Sequence, residues 1–165
     1  MFQKWFSKKK ESTTISLAAP LTGRVMALEE VPDPVFAQKM AGDGIAILPT
    51  EGLLVSPVSG KVAHLFPTHH AIGLVNAEGL ELLIHIGIDT VKLNGEGFQP
   101  FVNMGDHVKV GDKLIQFDLE KIKAAGYSTI TPVLITNHEK LESIHFTAGA
   151  EVQAGSGIVM EALLK

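Results

Sequence analysis

The chain has no cysteine, one tryptophan, one tyrosine and a single arginine, Arg24. The missing thiols exclude a disulfide framework, a zinc knuckle and a cysteine nucleophile, and they fit a reducing compartment. With one guanidinium there is little means of gripping phosphate or nucleic acid bidentately. No Gly-x-x-x-x-Gly-Lys-Ser/Thr loop is present to cradle a nucleotide, which argues against an ATP-using kinase. Nor does any apolar run reach the roughly 18 to 20 residues that span a bilayer, or precede a small-residue cleavage site, so a cytoplasmic protein is expected. Positive charge is scarce outside the start of the chain. Lys4, Lys8, Lys9 and Lys10 are four of the 14 basic residues, and beyond residue 11 there are 10 basic against 17 acidic residues, a net of −7. Such a surface repels nucleic acid and favours basic partners.

At 165 residues and 45% hydrophobic content, the chain has core material for one domain. An internal duplication organises it. Ala19 to Leu28 (APLTGRVMAL) aligns with Ser56 to Leu65 (SPVSGKVAHL) at an offset of 37, and Gly105 to Gly111 (GDHVKVG) with Gly149 to Gly155 (GAEVQAG) at an offset of 44. Each unit is a short strand punctuated by turn glycines. Two different repeats, each used twice, predict an all-β fold, an antiparallel sandwich or barrel built from two related halves, and not a solenoid. Helix signals are confined to two or three turns. Asp33-Pro34 sets an N-cap beside a proline, with a stop expected about two turns later at Gly42, and Asp118 to Gly126 has the same layout.

The stretch Glu81 to Asp89 (ELLIHIGID) sets a histidine inside an apolar run that reads as a strand buried on both faces. Fifteen residues earlier, Phe66-Pro67-Thr68-His69-His70 opens a second β-like segment. A neutral imidazole can act as a nucleophile near pH 7 without an added base. If one ring nitrogen of His85 donates to a backbone carbonyl, such as those of Ile86-Gly87, the other lone pair is free for an acceptor site. A lone histidine in such a strand is more often a core residue satisfied by two backbone bonds, and the residues alone leave both readings open. His70 is the natural partner, and Thr68 lies on its face if the segment is extended. His64, His69, His107, His138 and His145 have no partner at ligand spacing and are assigned no role.

Five segments carry a resemblance that extends over residues 16 to 165. They are Val31 to Pro49 (VPDPVFAQKMAGDGIAILP), Thr68 to His70, Leu83 to Phe98 (LIHIGIDTVKLNGEGF), Gly105 to Asp112 (GDHVKVGD) and Ser128 to Val133 (STITPV). Together they resemble the glucose-type enzyme IIA of the bacterial sugar phosphotransferase system. The resemblance implies a single domain with the duplicated hybrid motif, a phosphotransferase component that needs no metal or organic cofactor. It implies that His85 accepts a phosphoryl group from the histidine-containing phosphocarrier protein and passes it to the IIB domain of a sugar permease. His70 and Thr68 then line the site. Asp33 and Asp89 match acids that meet a partner's arginines, although an N-cap and a strand end explain them locally. Val35, Phe36, Met40, Phe66, Leu83 and Val91 are the candidate apolar docking ring, some of them core, and Leu83 stands where an aromatic residue is often found.

Two other functional classes share features of the chain. A zinc metallopeptidase on a related duplicated fold would use His70 and His85 as ligands, but it needs a third and a denser motif. A biotinyl or lipoyl carrier would need its lysine in a tight hairpin, whereas Lys39 falls in a helical turn. Residues 1 to 15 form a tail of a different kind, either frayed or, through Met1, Phe2, Trp5 and Phe6 on one face with lysines flanking, an amphipathic helix. The resemblance favours the second, with peripheral membrane contact through residues 1 to 10.

Overall fold

The computed structural model describes residues 13–165. Fourteen strands follow in chain order: β1 (Thr13–Ala18), β2 (Gly23–Ala27), β3 (Asp43–Pro49), β4 (Leu53–Val55), β5 (Gly60–Leu65), β6 (Ala71–Asn76), β7 (Glu81–His85), β8 (Phe98–Pro100), β9 (His107–Val108), β10 (Lys113–Phe117), β11 (Thr131–Ile135), β12 (Leu141–His145), β13 (Glu151–Val152) and β14 (Ile158–Leu164). Every pairing between them is antiparallel. The eight-stranded sheet has the order β13-β2-β3-β11-β7-β6-β5-β9, and two three-stranded sheets have the orders β1-β14-β12 and β4-β10-β8. The first order reads the same from both ends once β2, β3, β11 and β13 are exchanged for β5, β6, β7 and β9. The two small sheets correspond in the same way, so the fold is all-β with two related halves.

The duplicated segments occupy matching places. Val25 N–H donates to Ala150 and Gly149 N–H donates to Val25, at 2.9 and 2.8 Å. The second copy repeats this, Val62 donating to Asp106 and Gly105 donating to Val62, also at 2.9 and 2.8 Å. The halves are interlocked as well as similar, because Ala18 N–H donates to Pro57 at 3.0 Å while Val55 N–H donates to Pro20 at 2.9 Å. The glycines at the start of β2 and β5 show why the motif keeps that residue. A Cβ on Gly23 would lie 2.1 Å from the Leu48 carbonyl oxygen, and one on Gly60 would lie 2.1 Å from that of Val75.

Alternation decides which face each side chain serves. Along β3, β11 and β7, Ile45, Ile47, Val133, Ile135, Leu82 and Ile84 enter the main core between the sheets. Their neighbours Ala46 and Leu134 join Leu28, Val31, Phe36 and Ile88 in a smaller cluster on the opposite face, with Leu83 packed against it. That second face is only partly covered. Leu83 and His85 are half-buried, so β7 is enclosed on one side and not on both as its composition suggests.

Both helices form where the acids predict them. In α1 (Pro34–Ala37) the Asp33 carboxylate accepts from Val35 N–H at 2.9 Å, and in α2 (Leu119–Ala124) that of Asp118 accepts from Lys121 N–H at 3.1 Å. The first is shorter than expected. It ends before Lys39, whose φ of 60° turns the chain left-handed, and not at Gly42. The expected tail is shorter too: Thr13, Thr14 and Ile15 belong to β1, paired with Leu164, Leu163 and Ala162. Their β-branched side chains suit a strand, and Ile15 is buried in the core. The reading of Met1, Phe2, Trp5 and Phe6 as one helical face lies outside the described residues.

These glycines supply a test of the packing. Gly60→Ala forces a Cβ into the Val75 carbonyl and should lose about 3 kcal/mol or more of stability, as overpacked sites do. Gly105→Ala meets open space at φ 92° and should lose only the left-handed penalty of about 1 to 2 kcal/mol. Urea unfolding of the two variants checks the order, and equal losses would contradict it.

Candidate active site

Adjacent strands bring His70 and His85 together. His85 closes β7 opposite Ala71 of β6, and Gly73 faces Leu83 two pairs further along, on the same face. Small residues at 71 and 73 leave the space above the sheet to the imidazoles. His70 precedes β6, its carbonyl accepting from Ile86 N–H at 2.7 Å, and the two rings lie edge to face with centroids 4.9 Å apart. Phe36 of α1 stands 5.1 Å from the His85 ring and Phe66 stands 5.6 Å from that of His70. A row of rings therefore crosses the face. It extends to His64, which meets Phe66 edge-on at 4.5 Å, a packing role for a histidine given none by sequence.

The Nδ1 atom of His85 lies 2.7 Å from the Gly87 carbonyl oxygen. A carbonyl only accepts, so the proton resides on Nδ1 and the lone pair on Nε2. The carbonyl is one that the sequence suggested, and the turn behind it explains its aim. Gly87 has φ 71°, and a Cβ there would come within 2.6 Å of the Thr90 methyl and 2.7 Å of the Ser128 carbonyl oxygen. Around it, Thr90 Oγ1 donates to the Ile86 carbonyl, and Ile88 N–H donates to Ser128 at 3.0 Å. Gly87 N–H donates to Thr131 Oγ1 at 3.3 Å. Sequence reasoning missed Thr90 and Thr131 as parts of this turn. Their presence in the segments that carry the family resemblance was the only signal.

Thr68 reaches His70 by a different route from the one expected. The segment is a turn and not an extended strand, with His69 N–H donating to Phe66 at 2.8 Å and His69 itself at φ 58°. Folding back in this way brings Thr68 Oγ1 to 2.6 Å from His70 Nδ1. His70 is only 5% exposed. Burial, followed by the neighbouring His85, lowers its pKa from 6.5 to about 4. Burial also lowers that of His85, against the opposing pull of the Gly87 carbonyl, Asp33 and Asp89. Both rings are thus held neutral, and the two acids are near enough to favour a positive charge on His85 when one develops.

The candidate ring divides by depth. Val35, Met40 and Val91 are exposed, at 45, 68 and 46%. Phe66 and Leu83 are half-buried, while Phe36 is buried in the smaller cluster and forms a floor under His85 instead of part of the open rim. Asp89, left-handed at φ 62°, leads into the 3-10 turn Thr90–Leu93 that carries Val91. Among the described residues no group of three or more His, Cys, Asp or Glu is placed to hold a metal ion, so the peptidase reading lacks its third ligand. Lys39 lies beside Glu29 and Asp43 at 3.8 and 3.6 Å and not at a hairpin tip, which removes the biotinyl or lipoyl reading.

The described chain is a duplicated β-sandwich that presents one oriented imidazole beside a second on a partly covered face. Residues 15–141 match the family described as the phosphoenolpyruvate-dependent sugar phosphotransferase system, EIIA 1. The chain is 52% identical over 165 residues, all of both chains, to the PTS system glucose-specific EIIA component of Bacillus cereus. It is 52% identical to that of Staphylococcus epidermidis, over 98% of both chains. Among solved structures it is similar to the glucose permease IIA from Mycoplasma capricolum, with a TM-score of 0.82 and 40% identity over 93% of this chain and 97% of that one. The chain belongs to the EIIA type 1 family. It is a phosphoryl carrier of the sugar phosphotransferase system.

The depressed His70 pKa gives a signed pH dependence. The unfolded chain binds this proton first, so the stability associated with the neutral ring is complete above about pH 6.5 and is lost as the pH falls toward 4. His70→Gln lacks this loss. Urea midpoints of the two proteins should therefore converge between pH 7 and pH 4.5, or cross, and a constant gap would contradict the assignment.

Proposed function

We propose that His85 is the phosphoryl acceptor and that His70 and Thr68 assist it. The phosphoryl group comes from the histidine-containing phosphocarrier protein and goes on to the cysteine of a IIB domain in a sugar permease. The relatives named as glucose-specific components favour a permease of the glucose class. The observation that carries the reading is the 2.7 Å contact of His85 Nδ1 with the Gly87 carbonyl, with the His70 ring 4.9 Å away.

The steps follow from that geometry. The Nε2 lone pair of His85 attacks phosphorus while the donor's N–P bond breaks, its electron pair staying on the donor's imidazole. The phosphorylated ring keeps its proton on Nδ1, and the positive character this creates is met by the Gly87 carbonyl, Asp33 and Asp89. Thr68, by donating its hydroxyl proton to His70 Nδ1, leaves a proton on His70 Nε2 that can be given as a hydrogen bond to the phosphoryl oxygens. Phosphoryl transfer depends mostly on such positioning and charge stabilisation. In the second transfer a cysteine thiolate takes the phosphoryl group, and the N–P electron pair returns to His85 Nε2.

Docking uses the face around the histidines. Val35, Met40 and Val91 offer exposed apolar contacts, Phe66 and Leu83 the inner edge, and Asp33 and Asp89 the acidic rim. Complementary charge at a rim chiefly raises the encounter rate. The chain from β1 onward works as one domain in the cytoplasm, while the first ten residues bring the protein to the inner face of the membrane.

His85→Gln should take up no phosphate from phosphoenolpyruvate, enzyme I and the phosphocarrier protein, read by intact mass at neutral and acidic pH. His70→Gln should still take it up and pass it on more slowly. Full uptake by a folded His85→Gln protein would overturn the assignment of the acceptor, and equal loss of uptake in both would overturn the division of roles.

Membrane contact has its own measurement. Trp5 is the sole tryptophan, and its emission should shift to the blue with phosphatidylglycerol vesicles and not with zwitterionic ones, the effect fading with salt as each well-placed lysine contributes roughly 1 kcal/mol. No shift at low salt with either lipid would remove the membrane role.

A further inference from the structure

The Gly87 carbonyl that orients His85 belongs to the most flexible kind of residue, so something outside the glycine must hold it. Two peptide planes meet at its Cα. The plane after it is fixed by Ile88 N–H donating to the Ser128 carbonyl at 3.0 Å. The plane before it is held at both ends: the Ile86 carbonyl accepts from the Thr90 hydroxyl, and Gly87 N–H donates to Thr131 Oγ1 at 3.3 Å. Thr131 opens β11 and is fully buried. Its one hydroxyl proton goes to the Thr129 carbonyl at 3.0 Å, which leaves its oxygen only as an acceptor toward Gly87.

We propose that Thr131 is a positioning residue for phosphoryl transfer, which through Gly87 keeps the proton of His85 on Nδ1 and the lone pair on Nε2. The inference rests on His85 being the acceptor. Without the hydroxyl, the Gly87 amide loses its buried partner, the 86–87 plane is held at its Ile86 end alone, and the shift passed on through the Gly87 Cα loosens the carbonyl's hold on one tautomer. The wrong tautomer presents an N–H to phosphorus and is inert. Removing a residue that orients an imidazole from behind costs on the order of 10- to 100-fold at metal sites, and an effect of that order is expected here. A threonine that served only to pack β11 would leave the tautomer untouched.

The test reads the ring before any phosphate is added. In 15N-labelled protein, the His85 nitrogens should report a pure Nδ1–H tautomer in the unaltered chain and in Thr131→Ser, and a mixture in Thr131→Val. Phosphoryl uptake should fall about tenfold or more in Thr131→Val and recover in Thr131→Ser. A folded Thr131→Val with an unchanged tautomer overturns the proposal whatever its rate, as does a Thr131→Ser protein as defective as the valine one. If the valine protein does not fold, Thr131→Ala takes its place: a mixed tautomer supports the proposal and an unchanged one overturns it. Uptake by His85→Gln would defeat the acceptor assignment and not the tautomer result, which is recorded without phosphate.

Discussion

The exchange of backbone hydrogen bonds between the two halves is the constraint on which the rest of the molecule depends. Each half's glycine-led strand, β2 or β5, is bordered by a short turn segment from the later part of the chain, β13 or β9, through hydrogen bonds whose lengths agree between the copies. The reciprocal bonds from Ala18 to Pro57 and from Val55 to Pro20 join the copies where they cross. Because β7 and β11 pair at the centre of the large sheet, the turn after one and the start of the other are held side by side. The Ile86–Asp89 turn is anchored to Ser128 and Thr131 for that reason.

From this arrangement the chemistry follows with few parts. The hydrophobic interior holds one face of β7, and the sheet's alternation turns His85 to the other, where the floor is Phe36 and the neighbouring strand offers alanine and glycine. Burial favours the neutral form of both imidazoles, which suits the proposed roles of His85 as acceptor and His70 as donor. The carboxylates of Asp33 and Asp89 offset part of that burial at His85 alone. The site therefore treats its two histidines unequally: only at His85 do nearby carboxylates and a backbone carbonyl oppose burial.

The interactions here are short in sequence and rigid by geometry. Thr68 to His70, His85 to Gly87 and Thr90 to Ile86 each span four residues or fewer. Among the hydrogen bonds described for the site, those from Ile86 to His70, from Gly87 to Thr131 and from Ile88 to Ser128 are the long-range ones. Those three turn two local motifs into one site, which makes the two-histidine arrangement sensitive to changes in β11, far from either ring in the chain.

Much of this was legible without coordinates. The repeated Pro-x-x-Gly strands and Gly-x-x-Val-x-x-Gly turns announced an all-β molecule in two halves, because turn glycines and strand periodicity are local properties. Asp33 and Asp118 announced their helices for the same reason, and glycine beside His85 marked a carbonyl within reach. Sequence left other matters open. It placed β7 between two covered faces, since an apolar run does not say how well each side is roofed. It extended Thr68–His70 as a strand, when a left-handed His69 folds it back. It grouped Phe36 with the docking rim although the residue is buried. What the sequence by itself determined was which residue types and turns were available; the tertiary structure alone decided that Thr131 stands behind Gly87 and that the two imidazoles meet, because a contact between distant segments depends on the register of strands across a sheet and not on any neighbourhood in the chain.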